Sequence, residues 1–241
     1  EASLVMHGAH GSPMRGLLTA GKQSSWIAGD WGYSDNRGNN GHLGAGEIGY
    51  GRGLNDQVMV KFALGRTYSK QDTLLGGNTK VKGTYIVPEL IAKLSDTPLY
   101  ASVSGYYNWG ETDVTRGYDN AGNREYGRGS ADLRTAALRA RLDWLDALKV
   151  GNTSVTPYTS VTYTRTKVDA YRETGGAFPA NWNSRTENST EVRLGLDAVH
   201  HLDDKLNLLG RLEGVHRRRL VWLQPARTKL QARLAACRSG D

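Results

Sequence analysis

Leu99-Tyr100-Ala101-Ser102-Val103-Ser104-Gly105-Tyr106-Tyr107-Asn108-Trp109 alternates without a slip. Leu99, Ala101, Val103, Gly105, Tyr107 and Trp109 make one face, and Tyr100, Ser102, Ser104, Tyr106 and Asn108 the other. A period of two is that of a β-strand. The run spans about 33 Å at the usual rise, beyond the five or six residues of an ordinary soluble strand, and it is the length a tilted membrane-spanning strand requires.

The pattern recurs at hairpin spacing. Val58, Val60, Phe62 and Leu64 alternate with Met59, Lys61, Ala63 and Gly65. Ile86, Pro88, Leu90, Ala92 and Leu94 alternate with Tyr85, Val87, Glu89, Ile91 and Lys93, and Ala136, Leu138, Ala140, Leu142 and Trp144 with Thr135, Ala137, Arg139, Arg141 and Asp143. One face is apolar and the other carries the charges. Nine strands are read, over residues 25–34, 43–53, 57–69, 80–95, 99–112, 133–145, 154–169, 190–200 and 205–216. The connections at Asn55-Asp56, Asp96-Thr97-Pro98, Gly151-Asn152 and Asp203-Asp204 are short, whereas 35–41, 72–78, 113–129 and 171–188 are long or Gly-rich. Short and long turns alternate strictly, as they do when one end of a barrel faces the periplasm and the other the exterior.

The chain has 241 residues, 38% hydrophobic and 8% aromatic, enough for a packed protein and against disorder. No stretch approaches the roughly 18 apolar residues of a transmembrane helix, but a barrel leaves no such signal because alternate residues face inward. The formal charge of +7 is concentrated in residues 217–241, which carry +6. Cys237 is the single cysteine, in keeping with passage through an oxidising compartment. Glu1 is not preceded by a basic and apolar leader, so the sequence reads as a mature fragment.

Trp26-Ile27-Ala28-Gly29-Asp30, Gly44-Ala45-Gly46-Glu47-Ile48-Gly49-Tyr50-Gly51, Pro157-Tyr158 and Leu194-Gly195-Leu196 follow one another in the order and spacing that resemble the C-terminal translocator barrel of bacterial autotransporters. The resemblance covers roughly residues 1–216. It implies a twelve-stranded, antiparallel up-and-down barrel of the outer membrane, with a helix through its pore and a passenger fused upstream that it helps to export. It also implies recognition by periplasmic chaperones and the barrel-assembly machinery, and a monomer in outer-membrane lipid. The expected organisation is a linker remnant over 1–24, an incomplete all-β barrel over 25–216 and a basic tail over 217–241. Arg217-Arg218-Arg219 would put charge on both faces of a continuing strand, and Leu223, Arg227, Leu230 and Leu234 have helical spacing, so the tail is read as non-strand. About three strands are expected to be lacking beyond His216 or Arg217, most simply through a frameshift, and a sheet with two open edges should insert poorly.

The polar face supplies the candidate lumen lining: Glu47, Lys61, Glu89, Lys93, Arg139, Arg141, Asp143, Arg193, Asp197, Arg211 and Glu213. Both signs occur, favouring satisfied pairs over a single-sign ion filter. These charges either hold a linker helix and hydrate the channel or simply keep a small interior hydrogen-bonded. Trp31, Tyr33, Tyr50, Tyr107, Trp109 and Trp144 fall near strand ends on the apolar face, as aromatic girdles would.

Enzymatic and cofactor signals are weak. Gly44, Gly46 and Gly49 match a dinucleotide fingerprint but lie inside alternating sequence, where glycines serve as bends or sockets for aromatic rings. His7 with His10, and His200 with His201, lack the partners of a metal site and are read as surface or interfacial histidines. No Gly-x-Ser-x-Gly elbow occurs. The expectation is no cofactor, no metal, no nucleic-acid partner and no catalysis by this chain, any enzymatic activity residing in the passenger. Two alternatives are a porin-like passive channel and a soluble β-sandwich that binds carbohydrate through Trp and Tyr.

Overall fold

A computed structural model describes residues 2–8, 10–11, 17–34, 40–202, 206–219 and 227–238. A short helix α1 (Ala2–His7) precedes β1 (Gln23–Ser34), β2 (Gly41–Gly53), β3 (Val58–Asp72), a 3-10 turn (Leu74–Gly76), β4 (Asn78–Lys93), β5 (Leu99–Asn120) and β6 (Asn123–Trp144). There follow β7 (Leu148–Val150), β8 (Thr153–Val168), β9 (Tyr171–Arg172), β10 (Asn181–Trp182), β11 (Arg185–His201), β12 (Leu206–Arg219) and β13 (Arg227–Arg238). The nine expected strands correspond to β1–β6, β8, β11 and β12.

These strands form one antiparallel sheet in the order β1-β2-β3-β4-β5-β6-β8-β11-β12-β13, with β7 pairing the start of β8 and β9-β10 forming a separate small hairpin. Neighbours in sequence are neighbours in space, the meander of an up-and-down barrel. Among the described residues no pairing joins β1 to β13. The sheet curls around the N-terminal segment, whose residues reach β2 through His10 and β11 through Ser3.

Its two faces invert the polarity of a soluble domain. The convex face exposes Ile27 (86%), Trp31 (72%), Leu138 (58%) and Leu194 (64%). The concave face buries Glu47, Glu89, Arg139, Arg141 and Asp143. Apolar residues out and charges in satisfy a protein whose surroundings are hydrocarbon; a β-sandwich would do the reverse, and that alternative is set aside. No helix among the described residues is long and apolar enough to cross a membrane.

Three expectations are corrected. Residues 113–129, read as a long loop, are instead the outer halves of β5 and β6, paired from Val114↔Gly129 to Asn120↔Asn123. Their alternation is lost because both faces are wet, so periodicity cannot report them. The hairpin closes at Ala121 (φ 53°) and Gly122 (φ 86°), the pair of positive φ values of the two-residue turn that matches strand twist, and the Gly122 N–H donates to Asp119 Oδ1 at 2.9 Å. Residues 171–188 likewise contain β9, β10 and the start of β11.

The tail, read as non-strand and helically spaced, contains β13, registered on β12 from Arg217↔Arg227 to Leu206↔Arg238. A strand edge with free N–H and C=O groups recruits any segment able to extend, whatever its side-chain period. Strand β12 also runs on through Arg217–Arg219, because Arg217 faces inward onto a carboxylate: its Nε donates to Glu191 Oε2 at 2.7 Å.

Candidate functional site

Helix α1 has six residues, too few to persist alone in water; the sheet holds it. Ala2, Val5 and Met6 are buried and pack with Ala63, Tyr85, Val87, Tyr106 and Ala137 on the concave face. A Cβ on Gly8 would stand 2.3 Å from the Leu4 carbonyl oxygen, a backbone atom, as well as 1.6 Å from Asp30 Oδ2 on the wall, so a larger residue there would displace the segment.

The wall grips this segment mainly through arginines. Arg139, fully buried, donates to the Met6 carbonyl and, through Nη2, to Glu89 Oε1 at 2.8 Å and Ser104 Oγ at 2.9 Å. Arg141 donates to the Gly11 carbonyl at 3.2 Å, to Asp143 Oδ1 at 2.5 Å and to Asp197 Oδ2 at 2.7 Å. Arg211 donates to the His7 carbonyl at 2.9 Å while its Nε reaches Asp197 Oδ1 at 2.5 Å. Arg193 donates to Ser3 Oγ at 2.8 Å and Glu191 Oε1 at 2.6 Å, and pairs with Glu213. Each guanidinium thus spends part of its fork on a wall carboxylate and the rest on a helix-segment oxygen, which its five fixed donors allow.

Carboxylates answer from the other side. His10 Nδ1 lies 3.0 Å from Glu47 Oε1, with Nε2 3.7 Å from Glu89 Oε2. His7 Nε2 lies 3.1 Å from Thr162 Oγ1 and 3.5 Å from Glu191 Oε1. Both histidines are buried, which corrects their reading as surface or interfacial residues; a segment without strand alternation gives no sign of which way it points.

Cross-strand glycines seat three aromatic rings that also reach these carboxylates. Trp26 faces Gly49, Tyr85 faces Gly65 and Tyr158 faces Gly195 in the ladder. A Cβ on those glycines would come within 2.1, 2.4 and 2.6 Å of the respective rings. Trp26 Nε1 donates to Glu47 Oε1 at 2.9 Å, Tyr85 Oη to Glu47 Oε2 at 3.2 Å and Tyr158 Oη to Glu213 Oε2 at 2.5 Å. The Arg141 guanidinium lies 3.6 Å from the Tyr158 ring centroid, a cation–π contact.

All the predicted lumen residues lie on the concave face; all but Lys93 and Arg211 are buried. Lys61 approaches the Trp26 ring, and Lys93 sits apart near the short-turn end of β4. The six predicted girdle aromatics are exposed on the convex face. Glu191 and Arg217 were missed because they lie at the edge of, or beyond, the clear alternation.

A second polar cluster stands above the long-turn end. Arg116 on β5 donates to Glu173 Oε1 at 3.0 Å and Oε2 at 2.7 Å and to the Phe178 carbonyl at 2.9 Å, tying the β9-β10 hairpin to the β5-β6 arm. Trp182 Nε1 and the Ala180 N–H complete the shell around Glu173 at 3.0 and 3.1 Å. The Arg116 hydrogen bonds, aided by Trp182 and the Ala180 amide, hold the Glu173 carboxyl below its ordinary range. Asn120 and the Ala177 amide do the same for Glu125.

An antiparallel meander with an apolar convex face, a charged concave face and a helix bound inside defines an outer-membrane-type barrel with an occupied lumen. The Autotransporter beta-domain family matches residues 25–220, and the chain belongs to that family. Among solved structures it is similar to the translocator domain of the autotransporter NalP from Neisseria meningitidis, with a TM-score of 0.71 and 20% identity over 89% of this chain and 74% of that one. It is also similar to the β-domain of the Bordetella autotransporter BrkA, with a TM-score of 0.59 and 14% identity over 90% and 93% of the two chains. No curated protein matches. The chain is a translocator barrel of type V secretion, serving the export of an attached passenger, and the family is not enzymatic.

Proposed function

We propose that the chain acts as a monomer in the outer membrane, its insertion made inefficient by the edges of β1 and β13, which do not pair with each other among the described residues, and that a passenger, continuous with α1 on its N-terminal side, passes through the lumen to the cell surface. The observation that carries this reading is α1 itself, bonded to the concave face by arginines and histidine–carboxylate pairs from strands as far apart as β2 and β12. On this reading the polar lining hydrates the moving chain and then captures α1 when it arrives. Arg139 and Arg211 hold the Met6 and His7 carbonyls of α1, Arg193 holds Ser3 and Arg141 the Gly11 carbonyl just beyond the helix, while Glu191 faces His7 and Glu47 and Glu89 face His10.

Trp31, Tyr33 and Trp109 then mark the external interface, and Tyr50 and Trp144 the periplasmic one, with Tyr107 one rung inside the external row. On the same reading the chain is delivered by periplasmic chaperones and inserted by the barrel-assembly machinery; its exposed apolar faces, which need shielding in an aqueous compartment, support this. Whatever activity the exported protein has belongs to its passenger.

The test is an epitope fused ahead of Glu1 and expressed in a Gram-negative cell. Antibody staining of intact cells is expected, together with protease removal of the epitope from outside. A heat-modifiable, membrane-embedded barrel whose epitope remains in the periplasm would overturn the reading.

A further inference from the structure

We propose that the convex face of β2–β5, where the apolar belt ends, is a binding site for the phosphorylated headgroup of an outer-leaflet glycolipid. The proposal rests on the outer-membrane reading above. The ladder sets the geometry. Leu64, Ile86 and Tyr107 lie side by side as the last apolar rung; Arg66, Thr84 and Trp109 form the rung above it, and Tyr68, Lys82 and Glu111 the next. Same-face rungs are about 7 Å apart along a strand, or about 5 Å in depth at the usual tilt. Measured along their own strands, Arg66 stands about 5 Å above Leu64 and Lys82 about 10 Å above Ile86, at the height of a headgroup layer about 5–8 Å deep or just beyond it.

Between them lies a groove of about 540 Å³ with Gly44 and Gly46 in its lining. A Cβ on Gly46 would meet nothing within 4 Å, so the floor on that side is open. Tyr68 and Trp109 supply flat walls. Arg66 and Lys82 are both exposed and make no ion pair among the described residues. Glu111, the one carboxylate among the lining residues, accepts the Ser130 hydroxyl at 2.5 Å on the β6 side.

Two cations against one engaged carboxylate leave the groove net positive. A sugar phosphate would sit between Arg66 and Lys82 with its ring on the aromatic walls, and its acyl chains would run down past Leu64, Ile86 and Tyr107. A zwitterionic phospholipid would bring its own ammonium group against both cations, and free phosphate would leave the apolar track below unused.

The test reconstitutes the full chain in phosphatidylcholine vesicles alone, with bis-phosphorylated lipid A, or with dephosphorylated lipid A. Insertion is read by protease protection and stability by the unfolding temperature. Bis-phosphorylated lipid A is expected to raise the unfolding temperature and the dephosphorylated form is not. The Arg66→Gln/Lys82→Gln variant should lose the rise. Arg66→Lys/Lys82→Arg, which preserves both charges, should keep it, as should Lys149→Gln at the opposite end of the sheet. An inserted chain whose temperature rises equally with dephosphorylated lipid A, rises equally in the Gln variant, or does not rise at all overturns the lipid site while leaving the barrel reading intact. A chain left unprotected in all three vesicles overturns the membrane reading instead.

Discussion

Glu89 and Arg139 show why a lumen charge is safe only with its partner. Both side chains are fully shielded from solvent, where removal of one member of a buried pair typically costs about 3–5 kcal/mol. Glu89→Leu should therefore lower the denaturant midpoint of the detergent-folded chain strongly, and Glu89→Leu/Arg139→Met should recover most of the loss. A double variant as unstable as the single one would mean that Arg139 stabilises chiefly through the Met6 carbonyl. The residues of this site were legible where strand parity applies: once Lys61, Glu89 and Arg139 are put on the polar face of alternating runs, their inward direction follows. His7 and His10 were not legible, because their partners lie far off in sequence, as in the 155 residues between His7 and Thr162, and no local period announces them. The socket role of glycine was legible in kind, but which ring fills which glycine depends on register.

The β5-β6 arm and the β9-β10 hairpin are elements joined by one carboxylate. Glu173 titrates below its ordinary pKa of about 4.3 because Arg116 and its other partners favour the ionised form. A lowered folded-state pKa means that the link is fully present above the ordinary value and is lost as pH falls through the lowered one. Protection of the Ala180 amide, taken relative to the intrinsic exchange rate at each pH, should thus be high at neutral pH and be lost as the pH falls below the ordinary carboxylate range, while Glu173→Gln should be unprotected throughout. Protection that persists unchanged in Glu173→Gln would assign the docking to Phe178 against Tyr118 instead, whose rings lie 6.2 Å apart. Sequence reading missed this arm for a physical reason. Alternation records a difference between the two sides of a strand, and above the membrane there is none; what remained visible was Asn120-Ala121-Gly122-Asn123, which has turn composition but resembles any loop.

At the scale of the molecule, the curled sheet and its helix are one connected set of contacts, although β1 and β13 do not pair among the described residues. Deleting residues 1–11 should open the lumen, so that the variant conducts more than the intact chain in planar bilayers. Equal conductance would mean that the wall collapses inward or that the loops above it, and not α1, set the resistance. The segment that fills the lumen belongs to the same polypeptide as the wall around it. Once it is seated, nothing in this arrangement resets it. On the proposed reading each barrel is a single-use device, delivering one passenger per molecule made, so the amount of protein displayed on the cell is set by how many barrels are synthesised and not by how fast any one of them works.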